Sequence, residues 1–150
     1  MVDVEVSTTI RRPRAEVAAY AADPETAPEW YQNIVASVYR TPKPLAPGSE
    51  VDFTARFLGK TLDYTYRVEE FVPSERLVMT TARGPFPMRT TYSWQDTADG
   101  TLMTLRNEGG PTGIAALADP LMAIIVRRTT AKELQRLKAI LERHASPHPQ

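Results

Sequence analysis

The 150-residue chain has no cysteine, only two histidines, no excess of either charge and no long apolar run. Each shortage removes a class of function. Without cysteine there is no disulfide, no thiolate nucleophile and no Cys-type zinc or iron-sulfur site, a usage that suits a reducing compartment. His144 and His148 both stand at the end of the chain, so neither a Ser-His-Asp arrangement nor a metal site is expected, and no cofactor is called for. Eighteen Lys+Arg balance 18 Asp+Glu, leaving no basic excess to neutralise a phosphate backbone, and no nucleic-acid partner is expected. The longest apolar run, Leu121 to Val126, is far short of the roughly 20 residues that span a bilayer. Asp3 and Glu5 stand where a secretory leader would be basic and then apolar, which points to a cytoplasmic protein. The glycine-rich stretch Gly109-Gly110-Pro111-Thr112-Gly113 lacks the lysine and the spacing of a phosphate-binding loop, and reads instead as a hinge.

Proline is abundant: there are 13, where the usual share of about 5% would give roughly eight. Proline lacks the N–H that helix interiors and sheet ladders need, so its positions mark what the chain cannot be. Between the prolines the periodicities are clear. Val2, Val4, Val6, Thr8 and Ile10 alternate with polar residues as a half-buried strand does. Pro13 suits the first turn of a helix carrying Val17, Tyr20 and Ala21, which Asp23-Pro24 stops, and a second short helix is expected over Glu25 to Gln32. Alternation returns over Ile34 to Arg40. Then Val51, Phe53, Ala55 and Phe57 share one face, and Leu62, Tyr64, Tyr66 and Val68 share another across the turn Leu58-Gly59-Lys60. Leu77 to Ala82, Met88 to Gln95 and Thr101 to Glu108 follow, the last two joined by the tight-turn signal Asp99-Gly100. Seven antiparallel strands result. Beyond the hinge the period becomes helical, with a short helix before Ala118 and a long one after Asp119-Pro120. Met122, Val126, Thr130, Leu134, Leu137 and Leu141 form its apolar stripe. Residues 1–145 read as one domain, and residues 146–150 as a disordered tail.

The order strand, two short helices, six strands and long C-terminal helix resembles the START-like (SRPBCC) superfamily, and within it the small bacterial polyketide cyclase/dehydrase and lipid-transport group. The likeness rests on Ile10-Arg11-Arg12-Pro13-Arg14-Ala15-Glu16-Val17, Asp23-Pro24 with Glu29-Trp30, Val68 to Pro73 with Glu75-Arg76-Leu77, and Asp99-Gly100-Thr101. These mark a fold, not a reaction. The resemblance implies an α+β helix-grip fold: a curved seven-stranded antiparallel sheet wrapped around the long C-terminal helix, with a cavity between them for a hydrophobic or aromatic small molecule.

Strand parity then supplies the lining. Phe53, Phe57, Tyr64, Tyr66, Met79, Tyr92, Trp94, Met103, Leu105 and Asn107 are expected to face inward, with Met122 and Val126 from the helix. Such aromatic surfaces with phenol and indole tips suit a flat, partly oxygenated ligand, polyketide- or lipid-like. Most alternating aromatics in strands are core packing; Tyr64, Tyr66 and Asn107 stand out because their polar atoms need partners if buried. Phe86, between Pro85 and Pro87 at a hairpin tip, is expected to act as a lid. Three loops, Leu58-Gly59-Lys60, Arg83 to Pro87 and Gly109 to Gly113, are expected to shape the mouth.

Catalysis is the second reading. As a cyclase or dehydratase the protein would use Tyr64, Tyr66, Tyr92 and Asn107 for acid-base work, with Arg83 or Arg89 meeting an anionic carrier, although parity turns Arg89 outward. An inward ionisable pair would favour this reading, and a cavity of phenols and apolar groups alone would weaken it. A third reading is interaction. Leu121, Ile124 and Ile125 lie off the helix stripe and are covered by the preceding short helix, by a second copy in a homodimer, or by a membrane or other partner.

Overall fold

The alternation of Val2, Val4, Val6 and Ile10 produces β1 (Val2–Ile10), with exposed Asp3 and Glu5 alternating with buried Val2 and Val4. Pro13 precedes α1 (Arg14–Ala22), which buries Val17, Ala18, Ala21 and Ala22. The computed structural model describes residues 2–57, 59–85, 87–109 and 119–144. The second short helix is tighter and shorter than its sequence pattern suggests: a 3-10 turn, Pro24–Thr26, runs into α2 (Ala27–Trp30). Pro24 and Pro28 interrupt the hydrogen-bond ladder of so short a segment, and the Asp23 side chain accepts from the Glu25 N–H instead.

The strands are β2 (Ile34–Tyr39), β3 (Glu50–Phe57), β4 (Lys60–Val72), β5 (Arg76–Arg83), β6 (Met88–Thr97) and β7 (Gly100–Gly109). They form one antiparallel sheet in the order β1-β7-β6-β5-β4-β3-β2. Each consecutive pair from β2 onward is a hairpin neighbour, and β1 returns to flank β7, so the sheet curls into a half-barrel. Register shifts beside Tyr66 and between Val68 and Glu70 are bulges, which bend a strand and increase its twist. After the second bulge the inward parity of Leu62, Tyr64, Tyr66 and Val68 passes to Phe71. Gly100 closes the β6–β7 turn with φ 152°, and a Cβ there would sit 2.2 Å from the Ile10 carbonyl oxygen. The turn that Asp99-Gly100 predicts therefore also lets β1 pass close by.

The convex face carries the charges. Arg106 forks onto Asp3 at 2.9 and 2.8 Å, and Arg89 bonds Glu69 at 3.0 Å. These exposed pairs contribute little stability each. The concave face carries the core, against which α3 (Asp119–His144) lies. Leu134, Leu137 and Leu141 of its stripe are buried. The helix packs on β1 and α2, pinned by Lys138 to the Thr9 carbonyl at 2.6 Å and by Arg136 to the Glu29 carbonyl at 2.6 Å. Because its contacts favour the β1 side, room is left between the first turns of α3 and the concave face of β3 to β6.

Candidate functional site

That room is a cavity of about 400 Å³, within the range of small-molecule sites. Phe53 and Ala55 of β3, Leu62, Tyr64 and Tyr66 of β4, and Met79 of β5 form one wall. Met88, Thr90 and Tyr92 of β6 and Asn107 of β7 form another, and Tyr31, Asn33 and Ile34 enter from the α2–β2 connection. Met122 and Val126 of α3 close it, and Val2, Pro85, Glu108 and Gly109 line the end where β1 starts and β7 stops. A second groove, of about 480 Å³, lies between α1 and Tyr39, Lys43, Leu45 and Phe71. Two of its polar groups are engaged, Lys43 with Glu25 at 2.7 Å and Asp23 with the Glu25 N–H. The inner cavity presents several polar atoms with capacity to spare on one enclosing, mainly apolar surface.

Two aromatic groups shape it. Phe53, Tyr64 and Tyr66 form a triad with ring centres 5.3 to 5.9 Å apart. Across from it the Tyr31 and Tyr92 hydroxyls meet at 2.5 Å, backed by buried Trp30 with its ring 4.2 Å from that of Tyr31. A polar relay runs between them. Thr90 Oγ1 donates to Asn107 Oδ1 at 2.9 Å, and Asn107 Nδ2 reaches Thr130 Oγ1 at 3.5 Å. A hydroxyl has one proton, so in the 2.7 Å contact between Tyr66 and Thr90 the phenol is the donor. The Tyr66 oxygen thus offers lone pairs to a ligand. The Tyr64 hydroxyl has no hydrogen-bond partner among the described residues and is free to give or accept. Replacing Thr90 by Val should cost about 1 kcal/mol by stranding Tyr66 and Asn107; chemical denaturation measures it, and an unchanged midpoint would mean the relay is dispensable.

Burial raises the proton affinity of every phenol here. Tyr66 is pushed up to about 12, and Tyr31, Tyr64 and Tyr92 are also displaced upward, chiefly by desolvation. At neutral pH all four are protonated, and they act as hydrogen-bond donors rather than bases. One acid breaks this pattern. Glu133, on the inner side of α3, is 5% exposed, and burial pushes its carboxyl up to about 7 against the opposing pull of the Gln32 N–H, which it accepts at 3.0 Å. Its charge bears on Tyr31, Tyr64 and Tyr92.

Of the residues expected to face inward, Phe53, Tyr64, Tyr66, Met79, Tyr92 and Asn107 from strand parity and Met122 and Val126 from the helix meet around the cavity. Trp94, Met103 and Leu105 do not: they face inward but are buried in the core, further along β6 and β7 toward the end where Arg14 bonds Asp96 and Thr101 bonds the Arg12 carbonyl. Parity gives the face and not the distance along it. Gly59 and Lys60 are not among the lining residues. Arg89 turns outward to Glu69, and Arg83 is exposed. Phe86, the Phe57 side chain, the hinge beyond Gly109, the helix expected before Ala118 and the 146–150 tail lie outside the described residues. Tyr31, Thr90 and Glu133 were missed. Glu133 had a signal: it falls on the side of the helix shared by Met122, Val126 and Thr130, where a carboxylate is out of place.

A curled antiparallel half-barrel gripping a C-terminal helix over an aromatic, phenol-bearing cavity defines the helix-grip class of proteins. The profile of the polyketide cyclase / dehydrase and lipid transport family matches residues 1–142, and the chain belongs to that family. No curated protein matches it. Among solved structures it is similar to a protein from Thermus thermophilus, with a TM-score of 0.81 at 16% identity over 96% of this chain and 99% of that one. The Zhui aromatase/cyclase from Streptomyces has a TM-score of 0.74 at 14% identity, over 96% of this chain and 95% of that one. The di-domain aromatase/cyclase StfQ of the steffimycin biosynthetic pathway has a TM-score of 0.75 at 14% identity, covering 96% of this chain and 52% of that one. At these identities the likeness is one of fold.

Proposed function

We propose that the protein binds a small, largely apolar, partly oxygenated aromatic molecule, polyketide- or lipid-like, in the cavity between the sheet and α3. The observation that carries this reading is the polar inventory of the wall: a Tyr64 hydroxyl with no partner among the described residues, on the same strand as a Tyr66 oxygen that presents only lone pairs, set in a mainly apolar surface. Such a pair recognises a phenol or enol, which can donate to Tyr66 and accept from Tyr64. Family membership supports the class of ligand. Native mass spectrometry of protein purified from its own host tests the reading by seeking a co-purifying apolar molecule. In vitro, Tyr64→Phe should weaken naphthol binding about fivefold, the worth of one hydrogen bond, and leave naphthalene binding unchanged. Equal loss for both probes would make Tyr64 a packing residue.

One observation favours a second reading, a cyclase or dehydratase. Glu133 is buried outside the cavity's own lining, but its charge bears on Tyr31, Tyr64 and Tyr92 and burial pushes its carboxyl up to about 7, so neutral phenols that can polarise a carbonyl stand within electrostatic reach of a carboxyl able to exchange a proton at physiological pH. In this reading Tyr31 and Glu133 join Tyr64, Tyr66, Tyr92 and Asn107 as the acid-base candidates.

A further inference from the structure

The first two turns of α3 face two ways. Met122 and Val126 line the cavity, while on the opposite side Leu121, Ile124 and Ile125 are 62%, 50% and 40% exposed. Three large aliphatic side chains together on a helix surface form a patch that soluble proteins usually cover. At 100° per residue the same outer stripe continues through Arg128, Lys132, Gln135, Ala139 and Arg143, all exposed. None of the exposed positions from Leu121 to Arg143 is acidic. Arg128 and Lys132 have no carboxylate partner among the described residues, and the nearby acids of β1, Asp3 and Glu5, belong to the convex face of the sheet, where Arg106 holds Asp3.

We propose that this face of α3 docks the protein on an anionic lipid surface, with Leu121, Ile124 and Ile125 entering the acyl boundary and Arg128 and Lys132 lying at the headgroups. Burial of the aliphatic turn in the acyl boundary gains from its apolar area, and the exposed cations that follow on the same stripe, with no acid among them, add attraction to anionic headgroups. A second copy fits worse. Pairing two such faces about a two-fold axis sets Arg128 and Lys132 against their own counterparts or against the other copy's aliphatic turn, with no acid to meet them. The position of the patch has a further consequence, which rests on the cavity reading above: the turns that would enter the interface are those whose other side closes the cavity, so an apolar cargo would pass between bilayer and cavity over a short path.

Flotation of the full chain with phosphatidylcholine vesicles, with and without phosphatidylglycerol, tests the proposal. The expected result is flotation only with phosphatidylglycerol, weakening as salt rises. The double variant Arg128→Glu with Lys132→Glu should lower the bound fraction more than tenfold, and Ile124→Glu should do the same. Both should keep the wild-type melting temperature and naphthol affinity, since none of these side chains lines the cavity. Absence of wild-type flotation, or undiminished flotation of a variant that is folded by those two measures, would overturn it. So would a wild-type dimer that Ile124→Glu converts to monomer, which would assign the face to a second copy. Flotation without naphthol binding would leave the docking face standing and remove the cavity reading instead.

Discussion

Glu133→Gln should stabilise the protein by about 3 kcal/mol near pH 8 and by almost nothing near pH 4. The sign follows from where the proton sits. In the folded chain burial holds the Glu133 carboxyl at about 7 against an ordinary 4.5, so between those values the folded state binds a proton that the unfolded state has lost. Below the unfolded value both states are protonated and there is no penalty. As pH rises through the interval the fold must either keep the proton or expose a charge to a poorly solvating site, and the cost is complete once the buried group ionises. Glutamine removes the charge while its carbonyl can still accept from the Gln32 N–H. Urea denaturation of both proteins across this pH range measures the difference. A gap that does not widen with pH would show that Glu133 is solvated or neutralised in solution. A buried acid that destabilises its fold and bears electrostatically on the phenols lining a cavity is what a functional group looks like energetically. If the second reading above is correct, the same substitution should also flatten any pH dependence of turnover near neutrality.

Val126→Trp should abolish ligand binding, lowering naphthol affinity about 100-fold or more, with a far smaller effect on stability. Val126 stands on α3 opposite the Phe53, Tyr64 and Tyr66 triad and lines the cavity with Met122. An indole placed there fills space that the fold itself leaves empty and meets aromatic surface on the far side, so the protein gains contacts while the ligand loses its volume. A loss of 100-fold corresponds to about 2.7 kcal/mol, within what one displaced ring contributes. Fluorescence titration with naphthol and a thermal melt give the two numbers. Binding that survives the substitution would place the ligand elsewhere, and a melting temperature that collapses would mean the cavity is smaller than its lining suggests.

The strands were legible because their signal is local. Alternation across two residues fixes which side chains share a face, and prolines with Asp99-Gly100 mark where each strand ends, so seven strands and a long helix can be read without knowing how they meet. The same locality limits the site. Tyr92 and Trp94 share a face of β6, as do Asn107, Leu105 and Met103 on β7, yet only Tyr92 and Asn107 line the cavity. Nothing in the alternation says how far along the strands the core ends and the open space begins. Tyr31 depends on the α2–β2 connection, too short to carry a period, and Thr90 is an ordinary strand threonine until Tyr66 and Asn107 are brought to it from β4 and β7.

What the sequence by itself determined was therefore the set of elements, the faces they present, and the exclusions that follow from composition: no cysteine chemistry, no histidine cluster, no basic excess. Only the tertiary structure decided that α3 leans toward β1, leaving a cavity on the other side, and that Glu133 is buried beside phenols from the α2–β2 connection, β4 and β6. The reason is physical. Periodicity records the average demand of a face for water or for apolar neighbours, whereas a site depends on where packing fails to fill space and on which polar groups are stranded there. Those are properties of several segments at once, set by the curl of the sheet and the seating of one helix.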